Sequence, residues 1–167
     1  MEIAPAEISA LLEIEISIVS DARVLNHISE MVVEPEQIVR QWDYGVPGES
    51  YPCWSVLKSK QSATGIAYCE YGFGPTSPWG LVNLPGSPDE SMGMDSGWFP
   101  KLLDAYFDSL ASELAIWRVF KEDVTGYPGI PITEEADWES AWDQAYRYRA
   151  ADPVGRYHCS HSIRTRE

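Results

Sequence analysis

Between residues 37 and 84 the chain breaks into short runs of aromatic and β-branched residues, and glycine and proline recur between them. The interruptions fall at Gly45, at Pro47-Gly48, across Lys60 to Thr64, and from Gly72 to Pro78. Such punctuation forbids long helices and suits strands joined by tight connections. The spacing predicts an antiparallel meander with strands at 37–44, 51–58, 64–71 and 79–84. Pro52 cannot donate a ladder hydrogen bond, so it belongs at a strand start or on an edge.

Helical signals flank this region. Pro5 suits a first turn, and Ile8, Leu11 and Leu12 follow it at helical spacing. Ile14, Ile16 and Ile18 then alternate with polar residues as a strand would, so residues 13–19 fit either state. Ser20 or Asp21 can cap a second helix with Val24, Leu25, Ile28, Met31 and Val32 on one face, stopped at Glu34-Pro35. Phe99, Leu102, Leu103, Tyr106, Phe107 and Leu110 form one stripe, with Pro100 in the first turn and Ser96 placed to cap. A short two-faced strand is expected at 116–120, and a Gly/Pro turn region at 122–131. A last helix is expected from Thr133 to Tyr148, burying Trp138, Ala141, Trp142 and Ala145. Its acids Glu134, Glu135 and Asp137 lie near the positive end of the helix dipole, and Arg147 and Arg149 near the negative end. Residues 157–163 add a final strand. The expected fold is one α+β domain over 1–167. It holds a helical segment (1–34), a meander of four to six strands (37–84), a helix/strand/helix region (98–150) and a C-terminal strand or tail (155–167), with three or four helices in all.

Charge narrows the function. The 167 residues carry 26 acidic and 12 basic side chains, a formal charge of -14. That field repels phosphate backbones and favours basic protein surfaces, so nucleic acid is not expected as a direct ligand. Residues 1–146 hold seven of the bases and 24 of the acids, so the excess lies in the body of the chain. No basic-then-apolar leader opens the sequence and no apolar run approaches a membrane span, so a cytoplasmic protein is expected. Cys53, Cys69 and Cys159 make an odd number at wide spacing, which suits reduced thiols.

Chemistry-bearing motifs are sparse. Tyr157-His158-Cys159-Ser160-His161 would place Cys159 and His161 on one strand face and His158 on the other. Two ligands fall short of the four that zinc takes, and no cysteine carries the flanks of a thiol nucleophile, so no metal or cofactor is expected. Ser96 lies between Gly93 and Gly97, without the glycine spacing of a nucleophile elbow. Gly72 to Gly80 lacks the lysine and helix start of a phosphate loop; its Phe73 and Trp79 either pack inward or face a partner. Residues 85–97 form a long loop carrying Asp89, Glu90 and Asp95, and long loops are often functional.

Trp42-Asp43-Tyr44-Gly45, Gly72-Phe73-Gly74-Pro75, Pro78-Trp79-Gly80-Leu81 and Gly93-Met94-Asp95-Ser96-Gly97-Trp98 together resemble a group of small, stand-alone bacterial proteins. In size, acidity and lack of an active-site motif the chain is also similar to cytoplasmic immunity proteins that neutralise polymorphic or contact-dependent toxins. This second likeness is one of type and carries over no contact residue. It implies a non-catalytic protein that occludes a basic partner; charge and the loop-rich central segment, not the likeness, point to Asp89, Glu90 and Asp95 for steering and Trp79 and Trp98 as aromatic anchors. The other reading is a small enzyme or small-molecule binder using the 72–98 loops, together with Cys53, Cys69 or His161.

Overall fold

Each helix begins where the sequence supplies partners for its free N–H groups. In the computed structural model, which describes residues 3–84, 91–114, 116–124 and 126–160, α1 spans Pro5–Ser17. Glu7 reaches back to the Ala4 N–H at 2.8 Å, an arrangement that satisfies one of the donors a helix start leaves free. Residues 13–17, which fitted either state, are helical, and the turn ends at Ile18. Asp21 caps α2 (Ala22–Met31) by accepting from the Arg23 N–H. Val24, His27, Ile28 and Met31 form its buried stripe, as a 3.6-residue period requires.

The structure is α+β with antiparallel sheets, as expected, and divides into two compact units, Met1–Leu110 and Ala111–Glu167. In the first, β1 (Val32–Arg40), β2 (Tyr51–Lys58), β3 (Thr64–Tyr68), β4 (Trp79–Asn83) and β5 (Trp98–Phe99) form an antiparallel meander in chain order. Strand β1 starts five residues earlier than expected and runs through Pro35. It is an edge strand with a register irregularity between Val32 and Glu36, a setting where a missing N–H costs no ladder bond. Pro52 sits at the second position of β2, opposite Val39.

Helix α3 is shorter than expected, Leu102–Asp108, because Trp98 and Phe99 pair with β4 as a strand. Pro100 therefore precedes the helix. Ser96 does not cap it; Ser96 lies in a 3₁₀ turn, its N–H donated to Asp95. The N-cap Lys101 offers no side-chain bond, and the Glu15 carboxylate of α1 accepts from the Leu102 N–H at 3.1 Å instead.

The second unit is a three-stranded sheet, β7-β6-β8, with helix α4 against it. Strand β6 covers Trp117–Asp123, β7 Gly126–Glu135 and β8 Tyr157–Ser160, and α4 runs Trp138–Ala151. The region expected as a turn and a helix start is therefore the edge strand β7. Glu134 pairs with Arg118 at 3.1 Å rather than with a helix dipole. Helix α4 opens at Asp137, which accepts from the Ser140 N–H. Ala141 and Ala145 are buried as expected, but Trp138 is 49% exposed. Trp138 instead joins a column of rings, Trp117–Trp138–Trp142–Tyr146, with Arg149 over the last two. Among the described residues no helix is long and apolar enough to cross a membrane.

Candidate functional site

Side chains alternate across a strand, and residues directly opposite in a ladder share a face. The register therefore sorts the first sheet into two surfaces. Ile38 with Cys53, Arg40 with Tyr51, Ser55 with Ala67, Gly65 with Val82, and Gly80 with Trp98 share one face. Cys53, Ala67, Cys69, Val82, Met92 and Trp98 form a buried cluster there, bordered by Ile38, Trp42, Tyr51 and Phe73. No helical residue belongs to that cluster, so α1, α2 and α3 cover the opposite face. This leaves the first face roofed by loops.

Three loops make the roof, and rings join them. Trp42, just after β1, packs edge-to-face against Phe73 at 5.5 Å, and Phe73 lies 5.6 Å from Trp98. The Trp98 indole N–H donates to the Met92 carbonyl at 2.8 Å. Its ring lies over Gly80, where a Cβ would come within 2.4 Å of it. Gly80 is thus required by close approach. The Met92 N–H donates to the Gln41 carbonyl at 2.9 Å, tying the 91–98 segment to the end of β1. Tyr44 stacks edge-to-face on Trp42 at 6.1 Å and is 71% exposed. Val46, Tyr71 and Met94 are also exposed on these loops.

The same loops carry Asp43, Glu49 and Asp95 at exposed positions, and Glu70 half-buried. Residues 41–50, 69–78 and 91–98 contain no lysine or arginine. A cation of this face lies underneath them: Arg40 is 2% exposed, donates from Nη2 to the Asn83 carbonyl, and has no partner for Nη1 among the described residues.

Two thiols lie beneath the roof. The Trp54–Tyr68 pair ends the β2–β3 ladder, and one step further along the same register Cys53 faces Cys69. Both are fully buried, and each thiol donates to a backbone carbonyl, Cys53 to Tyr51 at 3.6 Å and Cys69 to Pro52 at 3.4 Å. The neighbouring Cys53 brings the Cys69 thiol down to about 7, helped by the Tyr71 and Gly72 N–H groups and opposed by burial. The same neighbour relation, then burial, pushes Cys53 upward, with Arg40 acting against the rise.

Of the residues expected to bind a partner, Asp95 lies on the loop surface. Trp79 and Trp98 are buried, 3% and 4% exposed. Trp79 packs edge-to-face against Tyr68 at 5.0 Å, and Trp98 fills the loop-covered cluster. Trp98 supports the loop surface from below, whereas Trp79, opposite Tyr68 and Phe99, lies on the helix-covered face, so neither is an exposed anchor. Asp89, Glu90 and His161 lie outside the described residues. Sequence reading missed Tyr44, Tyr71 and Met94, although each sits beside a glycine or an acid in a turn-rich stretch.

Two other polar clusters pair internally. His27 shares a 2.8 Å hydrogen bond with Tyr106 inside the helical layer. An open groove of about 500 Å³ in the second unit is lined by Lys121, Glu122, Asp152 and Arg156, among others. Its cations pair across it, Lys121 with Asp152 at 3.1 Å and Arg156 with Glu122 at 3.6 Å. Among the described residues no three His, Cys, Asp or Glu side chains converge as metal ligands. Comparison with known proteins returns no matching family, no similar curated protein and no similar solved structure.

Proposed function

We propose that the chain is a non-catalytic binding protein that covers a basic partner protein, in the manner of an immunity protein occluding a toxin. Its contact surface is the loop roof of the first unit. The observation that carries this reading is the composition of that roof. Tyr44, Tyr71 and Met94 are exposed beside the exposed Asp43, Glu49 and Asp95, on loops without a lysine or arginine.

Rings held at the centre of a contact exclude water and dominate binding energy, while carboxylates around them speed encounter with a cationic surface and reject anionic ones. The first unit holds five basic against sixteen acidic residues, so the long-range field comes from the unit that carries the roof. Ring contacts between the loops hold Tyr44 in place before binding, which lowers the entropy cost of association. The reading places the protein in the cytoplasm, which suits three free cysteines.

The test is affinity capture from the cell that encodes the chain. The native sequence is compared with an Asp43→Asn, Glu49→Gln, Asp95→Asn triple variant and with Tyr44→Ala. The expected result is a basic protein retained at low salt, released at high salt, lost with either variant, and inhibited by an equimolar amount of the purified native chain. Equal recovery by the variants, or a partner whose activity is untouched, overturns the proposal.

A further inference from the structure

Cys53 and Cys69 stand apart from every role assigned above. They touch no exposed surface, and a pair of small apolar residues would fill the same space. We propose that they form a reversible oxidation site, a cross-strand dithiol that hydrogen peroxide converts to an intramolecular disulfide. The inference is independent of the binding reading.

Geometry carries it. Directly opposed residues on antiparallel strands lie about 4.5 to 5.5 Å apart at Cα, inside the ~4.4 to 6.8 Å range that a disulfide spans. Extending the Ser55–Ala67 and Trp54–Tyr68 register by one step puts Cys53 opposite Cys69, both lie in one buried cluster, and the Cys69 sulfur is 3.4 Å from the carbonyl of Pro52, the residue before Cys53. No strand has to slide for the bond to close. Peroxide attack needs a thiolate, and Cys69 is the thiol equipped for it. Cys53 and the N–H groups of Tyr71 and Gly72 favour the ionised form of its sulfur.

Access lies at Gly72. A Cβ built there would fall 3.3 Å from the Cys69 sulfur and 2.1 Å from the Met92 methyl. The absent side chain leaves the flexible Met92 side chain next to the thiol at this point, a contact that a rotamer change opens to a molecule as small as peroxide.

The step balances. The Cys69 thiolate attacks one peroxide oxygen, the O–O bond breaks, and hydroxide leaves with the proton Cys69 released, forming water and a sulfenic acid. Cys53 sulfur then attacks the sulfenic sulfur. The S–O bond breaks, and hydroxide departs with the Cys53 proton as a second water. The two thiols lose two electrons and the peroxide gains two. Cys159 offers an internal control: it is one thiol without a cysteine opposite, and burial pushes its pKa up.

The full folded chain is treated with one equivalent of hydrogen peroxide, alkylated under denaturing conditions, and mapped by mass spectrometry. The expected product has lost two hydrogens, links the Cys53 and Cys69 peptides, carries alkylated Cys159, and returns to three alkylated thiols after dithiothreitol. Cys53→Ser should leave a sulfenic acid at Cys69 that a 1,3-dione probe labels; Cys69→Ser should leave Cys53 reduced. Either variant failing to fold leaves the native map decisive. Oxidation at Cys159 ahead of the pair, or two thiols that stay reduced until the chain unfolds, overturns the proposal.

Discussion

The two units cover an antiparallel sheet with different materials. The first lays three helices on one face and ring-joined loops on the other, and its interior holds a thiol pair and a nearly inaccessible arginine. The second relies on one helix, a column of half-exposed rings, and a polar tie in which Asp152 accepts from the Tyr157 hydroxyl at 2.7 Å and from Lys121 at 3.1 Å. Charge divides the same way: five bases against sixteen acids in the first unit, seven against ten in the second. The difference teaches where surplus lies. In the second unit the groove's cations meet carboxylates; in the first, exposed acids gather on loops that bring no cation of their own.

If the first unit depends on its loop-covered cluster while the second spreads its ring contacts over a half-exposed surface, matched tryptophan deletions should separate them. Trp98→Ala removes a buried ring and the bond to the Met92 carbonyl, and should cost about 3–5 kcal/mol in urea unfolding. Trp138→Ala loses edge-to-face contacts on a half-exposed ring and should cost about 1–2 kcal/mol. Equal losses would erase the distinction. Gly80→Ala drives a methyl into the Trp98 ring and should cost about 1–3 kcal/mol, with a shift in tryptophan fluorescence that reports the displaced indole.

The cap that α1 lends to α3 gives a smaller effect. Glu15→Ala should cost about 1 kcal/mol by thermal melting, whereas Glu15→Gln keeps an acceptor for the Leu102 N–H. Burial first of all raises the Glu15 pKa, against the bonds from Leu102 and Leu103. A carboxyl with a raised folded pKa contributes stability at low pH that declines as pH rises through the unfolded value. Glu15→Gln should therefore match or exceed the native chain near neutrality.

Asp152 gives the opposite sign. The Tyr157 hydroxyl, then Lys121 and the Gly155 N–H, hold its carboxyl at about 2. A depressed folded pKa contributes stability that is complete above the unfolded value near ~3.9 and is lost as pH falls toward 2. Acid unfolding of the native chain should steepen in that window, and Asp152→Asn should flatten it. A native profile with no such window would remove the polar tie from the comparison.

Much of this architecture was legible in the residues. Punctuation by glycine and proline located β2 and β4 nearly to the residue. Two errors share one cause. Pro35 suits a helix stop and Pro131 a turn, yet both lie in edge strands, β1 and β7, where a missing N–H is tolerated. Local charge misled as well: Glu134 and Glu135 suit a helix start, but Arg118 across the sheet claims Glu134. The surface was harder to read. Burial of Trp79 and Trp98 and exposure of Tyr44 depend on which loop lies over which strand, and single-chain periodicity carries no record of that.

The claim that the loop roof of the first unit grips a basic protein is tested most directly by carbodiimide crosslinking of the captured complex, mapped by mass spectrometry. Amide links from Asp43, Glu49 and Asp95 to lysines of the partner are the expected result. Links confined to Glu139 and Asp143 of α4, or none from the roof, would contradict it.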